Sequence, residues 1–340
     1  MSQKQQHTVA LVGLGTIGLS FAALHLQFTD ASVRLYDVRA DLQKHVAQLL
    51  PVYLRARGAV SEKLSVENLI SSGRLTLCPS LEDACKGATI VQEQGPENLP
   101  FKKQTWAVAA KHAPTDAHLW SSTSGILASQ QGEDLAPEDR ARLLIVHPFN
   151  PPHLTPLIEI VPSQYTNPER TEFAKQYIDD LKAGYNPVII KKEILGFVGN
   201  RLAFALFREA CHLVASDVVT VEDLDTIITT SHGPRWAVAG PFKLWNLGGG
   251  AGGLGAFMHN LGGTAEAIWQ DLGQISLKDT YEHAVVPLAN GSTDGTRGES
   301  GDDWLRKVVQ QTTDAYNLPS SQDFLQRDVD LGRVMQAKSK

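Results

Sequence analysis

The sequence predicts an α/β protein, in which a doubly wound, mostly parallel N-terminal sheet is followed by an all-α C-terminal domain. Two patterns lead to this fold class. Short apolar strands alternate with helical stretches as far as Lys191, as a mostly parallel sheet requires. Beyond Gly196 the strands stop, and the long apolar stretches that follow are typical of helices. We therefore divide the 340 residues into two predicted domains, 1–191 and 192–340.

An opening strand over residues 8–12 runs directly into a glycine-rich turn and an apolar helix. The turn reads Gly13-Leu14-Gly15-Thr16-Ile17-Gly18. Between a strand and a helix, this spacing is the fingerprint of a Rossmann-type dinucleotide site. The first glycine permits the tight turn, the second lets a pyrophosphate approach the backbone, and the third lets the helix pack on the strand. Thr16 and Ile17 begin the helix, where unpaired N–H groups favour phosphates. An ordinary strand-to-helix turn is the alternative.

The second strand, residues 33–36, ends at Asp37. An acid about twenty residues beyond the glycines can accept both hydroxyls of an adenosine ribose, and it repels a 2′-phosphate. The sequence therefore predicts NAD, rather than NADP, as the cofactor.

The remaining elements follow from the alternation of apolar runs and turn residues. The strand candidates are 75–77, 89–92, 118–120, 143–146, 157–161 and 187–190. Helical stretches occupy 42–70, 196–217 and 221–230, and the last of these begins after Thr220 with acids in its first turn. Two loops, 248–255 and 290–303, are rich in turn residues, and the second is the better candidate for a mobile surface segment.

A histidine and a glutamate in neighbouring strands form a candidate proton-transfer pair. His147 ends one apolar strand, Glu159 lies inside the next, and an Asn150-Pro151-Pro152 turn can fold the carboxylate back onto the imidazole. A carboxylate on one ring nitrogen fixes the tautomer and stabilises the imidazolium that forms when the other nitrogen takes a proton. The alternative is a histidine at a strand end that only satisfies a loop.

Composition argues against several classes of protein. A formal net charge of -6 gives no electrostatic reason to expect nucleic acid or an anionic membrane surface as a partner. No apolar run approaches the roughly 18 residues that cross a bilayer. Cys78, Cys85 and Cys211 lack metal-ligand spacing and fit a reducing compartment, so no metal is predicted. The first strand begins a few residues after Met1, which leaves no room for a targeting segment, and we expect a cytoplasmic protein.

Several motifs stand in a characteristic order along the chain. They are the glycine turn, Pro96-Glu97-Asn98-Leu99, Ser121-Ser122-Thr123-Ser124, His147 to Pro152 with Glu159, Gly196 to Leu202, and Gly240-Pro241-Phe242. In this order and spacing they resemble the 3-hydroxyacyl-CoA dehydrogenase family. Within it the chain looks most like the branch that holds lambda-crystallin, L-gulonate 3-dehydrogenase and L-carnitine dehydrogenase. The pointers to this branch are residues 91–93, the double proline after Asn150, and residues 233–237.

The resemblance implies roles for residues around a reacting secondary alcohol. His147 matches the catalytic histidine and would be the base, with Glu159 as its orienting partner. Ser124 and Asn200 match polar groups that donate to the reacting oxygen, and Asn150 belongs to the substrate side. From the residues alone, Ser124 could instead cap a helix beginning at Ile126, and Asn200 could be a polar helix residue that faces a partner.

A second pair of residues matches family positions beside the cofactor. Glu97 and Lys102 form this pair, and Lys102 could contact a ribose hydroxyl. Because Lys102 stands next to Lys103, a solvated helix face is the alternative.

The substrate class depends on where the chain offers cations. Users of CoA thioesters need basic groups for the CoA phosphates, and residues 42–70 offer only scattered ones. A free acid needs one cation, and Arg235 lies in the region that this branch associates with such substrates; a surface ion pair is its alternative. We therefore favour a small L-3-hydroxy acid, as in L-gulonate 3-dehydrogenase, over a short-chain thioester. The glycine run 248–255 departs from the family pattern.

Assembly and role are also implied by the resemblance. The relatives pair through their helical half, so we expect a homodimer and a small-molecule substrate. A nonenzymatic protein, either crystallin-like or redox-sensing, is the alternative from another class. That alternative predicts a damaged proton relay, yet His147, Glu159, Ser124 and Asn200 are all present.

Overall fold

The computed structural model describes residues 6–55, 64–277 and 304–338. The chain forms two compact units, Met1–Arg201 and Leu202–Lys340, and each is considered separately. The domain division expected from the sequence, at residue 191, stays a prediction.

The first unit is built on one eight-stranded sheet with the order β3-β2-β1-β4-β5-β6-β7-β8. All neighbouring strands are parallel except β6 and β7, which pair antiparallel. The strands are Thr8–Val12 (β1), Ser32–Tyr36 (β2), Leu75–Leu77 (β3), Ile90–Glu93 (β4), His118–Ser121 (β5), Leu143–Pro148 (β6), Leu157–Pro162 (β7) and Asn186–Ile189 (β8). The predicted doubly wound sheet is confirmed, and each predicted strand lies within two residues of an observed one.

Helices cover both faces of this sheet, as a parallel sheet requires. They are Thr16–Phe28 (α1), Leu42–Arg55 (α2), Val66–Ser71 (α3), Leu81–Cys85 (α4), Leu99–His112 (α5), Ala128–Gln131 (α6), Pro137–Arg140 (α7) and Pro168–Asp180 (α8). A ninth, α9 (Gly199–Ala215), begins in the first unit and continues into the second. Of the predicted helical stretch 42–70, residues 56–63 lie outside the described residues.

The core of the first unit consists of two apolar clusters, one on each side of the sheet. Along β1, Val9 and Leu11 belong to one cluster, whereas Ala10 and Val12 belong to the other. This alternation follows from the two-residue period of a strand. All four side chains are at most 2% exposed, so β1 is buried on both faces.

The second unit contains helices and no strand among its described residues, 202–277 and 304–338. After α9 come Val221–Ile227 (α10), Gly233–Val238 (α11), Pro241–Gly248 (α12), Gly253–Asp271 (α13), Trp304–Tyr316 (α14) and Ser321–Lys338 (α15). Thr220 caps α10 as predicted, since its side chain accepts a hydrogen bond from Asp223 N. A π-helical stretch, Ile228–His232, joins α10 to α11.

The sequence predicts two loops in this unit, and the structure describes one of them. The glycine run 248–255 is not an open loop, because it comprises the end of α12, a 3-10 turn at Gly250–Gly252 and the start of α13. Its glycines permit this tight reversal, and Gly250 and Gly253 have φ angles of 58° and 60°. The loop 290–303 lies outside the described residues. No described helix is long and apolar enough to span a membrane.

Candidate active site

The glycine turn has the geometry that a pyrophosphate needs. Gly13 has a φ of 89° and its N–H donates to Tyr36 O at 3.0 Å. A Cβ on Gly13 would lie 2.8 Å from Gly95 N, and one on Gly18 would lie 2.0 Å from Gly13 O, so neither position admits a side chain. At Gly15 nothing lies within 4 Å of the Cβ position. Gly15 therefore leaves open space directly before the N-terminus of α1, where phosphate is favoured.

Asp37 lies at the end of β2 beside this turn. Its Oδ2 accepts a hydrogen bond from Leu14 N at 2.6 Å, and its Oδ1 accepts one from Arg39 N at 3.0 Å. The carboxylate borders a cavity of about 380 Å³, which is lined by Val12, Gly13, Leu14, Gly15, Tyr36, Asp37, Val38, Gln94, Gly95, Pro96 and Phe101. The open glycine, the helix N-terminus and the oriented acid together fit the adenosine and pyrophosphate of NAD.

Lys102 lies in a buried ion pair and not on a solvated helix face. Its Nζ is 2.9 Å from each carboxylate oxygen of Glu93, and the two side chains are 1% and 0% exposed. Ser121 Oγ and Gly95 N also donate to this carboxylate, at 3.0 and 2.6 Å. The alternative of a solvated helix face is therefore wrong for Lys102, because the ion pair with Glu93 buries its side chain. The sequence pattern did not identify Glu93, at the end of β4, as the partner.

Glu97 holds the loop that follows β5. Its Oε1 accepts hydrogen bonds from Ser124 N and Gly125 N, each at 2.9 Å, and from Thr123 Oγ1. Its Oε2 is 3.6 Å from Lys102 Nζ, which ties the loop to the buried ion pair. The capping alternative for Ser124 is wrong, since Thr123 Oγ1 accepts from Ile126 N at 3.0 Å. The Ser124 side chain is exposed, and its hydroxyl bonds to no other described residue.

Asn200 lies in the first turn of α9 and reaches this loop. Its Nδ2 donates to the carbonyl oxygen of Ser124 at 2.9 Å. The two residues that the resemblance assigned to the reacting oxygen are therefore adjacent. The bond joins α9 to the loop through main chain, so it leaves the Ser124 hydroxyl available.

The predicted pairing of His147 with Glu159 is present. The two residues are direct register partners across β6 and β7, and His147 Nδ1 lies 3.0 Å from Glu159 Oε2. Glu159 Oε1 accepts from Val198 N at 3.1 Å and Gly199 N at 3.0 Å. Burial tends to raise the pKa of Glu159, but the hydrogen bonds from His147, Gly199 and Val198 outweigh it and hold the pKa below its usual value.

This arrangement sets the state of the imidazole. An ionised Glu159 only accepts, so it holds the ring proton on Nδ1. Nε2 then carries the lone pair, and it forms no hydrogen bond with a described residue. Phe149 and Phe197 pack on the ring, with centroid distances of 4.9 and 5.2 Å, and keep water from the pair. The sequence reading did not assign these two rings, because an aromatic residue beside a motif is more often core.

Two further predicted residues lie away from these contacts. Asn150 is exposed in the connection between β6 and β7. Arg235 is exposed in α11 of the second unit, directly after the π-helical stretch, and it pairs with no acid among the described residues. The ion-pair alternative for Arg235 therefore finds no support. No group of three or more potential metal ligands occurs among the described residues.

The sequence matches two family models. Residues 8–194 match the NAD binding domain of 3-hydroxyacyl-CoA dehydrogenase, and residues 196–278 match its C-terminal domain. The chain belongs to the 3-hydroxyacyl-CoA dehydrogenase family. It is accordingly an NAD-dependent oxidoreductase that acts on CH–OH donors, and NAD is its cofactor.

Several individual proteins are similar to this chain over most of its length. L-carnitine dehydrogenase of Streptomyces griseus is 36% identical over 288 residues, which are 84% of this chain and 83% of the relative. A 3-hydroxyacyl-CoA dehydrogenase of Gibberella moniliformis is 34% identical over 78% of this chain and 80% of that protein. Among solved structures, the NAD+-dependent dismutase 5-formyl-3-hydroxy-2-methylpyridine 4-carboxylic acid 5-dehydrogenase is 25% identical, with a TM-score of 0.74, over 98% of this chain and 99% of that one.

Proposed function

We propose that this protein oxidises the C3 hydroxyl of a small free 3-hydroxy acid, with His147 as the base. The observation that carries this proposal is the buried His147 and Glu159 pair, which leaves Nε2 of the imidazole as the only unbonded ring nitrogen. A secondary alcohol loses hydride only when its hydroxyl proton is removed, and an imidazole nitrogen with a free lone pair suits that task.

Each residue of the site has its own proposed role in the reaction. Nε2 of His147 takes the hydroxyl proton, and the carboxylate of Glu159 stabilises the imidazolium that forms. The Ser124 hydroxyl and the second Nδ2 hydrogen of Asn200 donate to the oxygen on which negative charge develops. The glycine turn and Asp37 would hold NAD, which would supply the acceptor for the hydride of C3. Glu97 and Lys102 support the loop that carries Ser124, which is a different role from the direct ribose contact considered for Lys102 from the sequence.

The relatives favour a free acid as the substrate. Carnitine is a 3-hydroxy acid that carries a trimethylammonium group at C4, and several relatives at 33–36% identity are named L-carnitine dehydrogenases. The structural relative is named for a pyridine carboxylic acid. Neither name points to L-gulonate, so we take carnitine-like acids as the first candidates. Arg235 is the cation that we assign to the carboxylate, since a guanidinium binds it through two parallel hydrogen bonds.

A short-chain 3-hydroxyacyl-CoA is the second candidate. The Gibberella relative, which is 34% identical, is named a 3-hydroxyacyl-CoA dehydrogenase. A thioester has no free carboxylate beside the hydroxyl, so it makes no use of the Arg235 fork.

Substitution of Arg235 separates the two candidates. Arg235→Leu should lower kcat/KM for a free 3-hydroxy acid by roughly 2–4 kcal/mol, because a bidentate charge pair is lost. Arg235→Lys should restore part of that loss, since a point charge lacks the fork. NADH absorbance with L-carnitine, other 3-hydroxy acids and 3-hydroxybutyryl-CoA provides the measurement. Efficient turnover of the thioester with none of any free acid would make the second candidate the function.

The surface of the second unit supports a homodimer. Many of its large apolar side chains are exposed, among them Phe204 at 66%, Phe242 at 78% and Trp269 at 62%. Apolar surface on this scale marks an interaction site, and closed pairs are the commonest assembly. Light scattering should give about twice the chain mass of 37.0 kDa, and Phe242→Glu should lower it. A stable monomer at micromolar concentration contradicts the dimer.

A further inference from the structure

A chain of hydrogen bonds runs through the apolar core of the first unit. Gln92 in β4 is fully buried, and its Nε2 donates to Ser122 Oγ at 3.2 Å. Gln92 Oε1 accepts from His25 Nε2 at 3.3 Å, and His25 Nδ1 accepts from the Tyr177 hydroxyl at 2.9 Å. The chain therefore connects α8, α1 and β4 to the residue that follows β5.

The direction of each of these bonds is determined by its surroundings. Burial lowers the pKa of His25 to about 4, so its ring is neutral and carries one proton. The carbonyl oxygen of Gln92 requires that proton on Nε2, which leaves Nδ1 as an acceptor. Burial also raises the pKa of Tyr177, so its hydroxyl stays protonated and donates to Nδ1. The Gln92 amide consequently presents its N–H group to Ser122 in one fixed orientation.

The neighbours of this chain of hydrogen bonds are aromatic and apolar. Phe21 stacks on His25 with a centroid distance of 6.1 Å, and Trp120 lies edge-on to Tyr177 at 5.5 Å. A buried polar side chain in such a setting is costly unless it is hydrogen-bonded. An all-apolar set of side chains would fill the same space without that requirement, so the bond to Ser122 needs an explanation beyond packing.

The hydrogen bond from Gln92 to Ser122 lies at the start of the loop that carries Ser124. Ser122 is followed by Thr123 and Ser124, and Ser122 N donates to Glu93 O at 2.8 Å. Glu97 holds the far side of the same loop through Ser124 N and Gly125 N. The loop is therefore fixed at one end by Glu97 and at the other by Gln92.

We propose that Gln92, supported by His25 and Tyr177, is a positioning residue for the reaction: it fixes Ser122 and thereby the location of the Ser124 hydroxyl. This inference rests on the proposed function, which assigns Ser124 to the reacting oxygen. Gln92 acts only through Ser122, and a loss of position at the reacting centre lowers turnover even when binding is intact.

Gln92→Leu is the first test, because it keeps a side chain of similar length and removes both hydrogen bonds. We expect kcat at saturating NAD and substrate to fall about tenfold, with an unchanged Kd for NAD in calorimetry. Ser122→Ala breaks the same link from the loop side and should have an effect of similar size. The double variant should be no slower than the slower single variant, since the two changes remove one shared interaction.

Thr166→Val is the matched control for the loss of a buried hydrogen bond. Thr166 Oγ1 donates to Leu143 O at 2.6 Å, at the start of β6 and so at the opposite end of that strand from His147. This variant should lose thermal stability and keep the wild-type kcat. A wild-type kcat, within twofold, in Gln92→Leu and Ser122→Ala would overturn the proposal.

Ser122→Ala also covers the case in which Gln92→Leu does not fold. It leaves the core intact, so its kcat alone then tests the proposal.

Ser124→Ala separates this inference from the proposed function. Full activity in Ser124→Ala contradicts the role given to that hydroxyl, whereas a slow Ser124→Ala with a normal Ser122→Ala contradicts only the positioning by Gln92.

Discussion

The two units of this chain differ in what they bury. In the first unit the apolar side chains form two closed clusters against the sheet, and the site residues are paired inside it. In the second unit the buried apolar residues among those described are Cys211, Val214 and Ala239. Large side chains such as Phe204, Phe242 and Trp269 are more than 60% exposed there.

This difference bears on which unit suits the proposed chemistry and which suits the proposed assembly. A unit with a closed core can hold a proton-transfer pair and a buried ion pair in fixed positions. A unit whose apolar surface stays outside gains most of its stability from covering that surface. The first unit therefore suits the proposed base and cofactor contacts, and the second unit suits the proposed subunit pairing.

The largest expected effect tests whether the base belongs to the first unit. His147→Ala should lower kcat by at least about 10²–10⁴-fold, the range typical of a lost general base, while the Kd for NAD stays nearly constant. His112→Ala, in the last turn of α5, is the control and should keep full turnover. Steady-state kinetics and calorimetry provide the two readings. Near-normal turnover in His147→Ala would place the base elsewhere.

The buried ion pair of the first unit should give the next largest effect. Lys102→Met leaves the carboxylate of Glu93 buried without its cation, and such a change typically costs about 3–5 kcal/mol of unfolding free energy. Lys103→Met is the matched control, since the adjacent Lys103 pairs with the exposed acids Glu133 and Asp134 and should matter far less. Urea unfolding of both variants measures the two losses of unfolding free energy. Equal losses would mean that the buried Lys102 stabilises the fold no more than the surface Lys103.

The sequence was sufficient for those parts that depend on local patterns. The strand, glycine turn and helix at residues 8–28 follow from spacing alone, as does the acid at the end of β2. The pairing of His147 with Glu159 could also be predicted, because one antiparallel connection fixes the register of two adjacent strands.

Contacts between side chains of different elements that share no strand register could not be predicted in this way. A solvated helix face stayed open for Lys102, because the nine residues from Glu93 to Lys102 leave a strand and enter a helix with no spacing that pairs the two. Gln92, His25 and Tyr177 belong to three separate elements, so no spacing in the sequence brings them together. For the second unit, the sequence showed helices without showing which faces remain exposed, since helical periodicity alone does not identify the covering surface.

The smallest of these effects concerns pH, and it distinguishes buried polar groups of the first unit from ordinary surface residues. His25 has an unfolded pKa near 6.5 and a folded pKa of about 4, so the unfolded chain takes up the proton first. Its contribution to stability is therefore complete above pH 6.5 and is lost as the pH falls towards 4, by about 3 kcal/mol at most. Two other groups also lower the unfolding free energy as the pH falls. Glu159, whose pKa is lowered, does so at more acidic pH, and His118, whose pKa is lowered to about 3, does so over a range that overlaps that of His25. His25→Gln removes only the contribution of His25, so the difference in unfolding free energy between wild type and variant, measured with urea at pH 7, 6, 5 and 4, isolates that contribution. If that difference does not change between pH 7 and 4, His25 does not titrate as its burial requires.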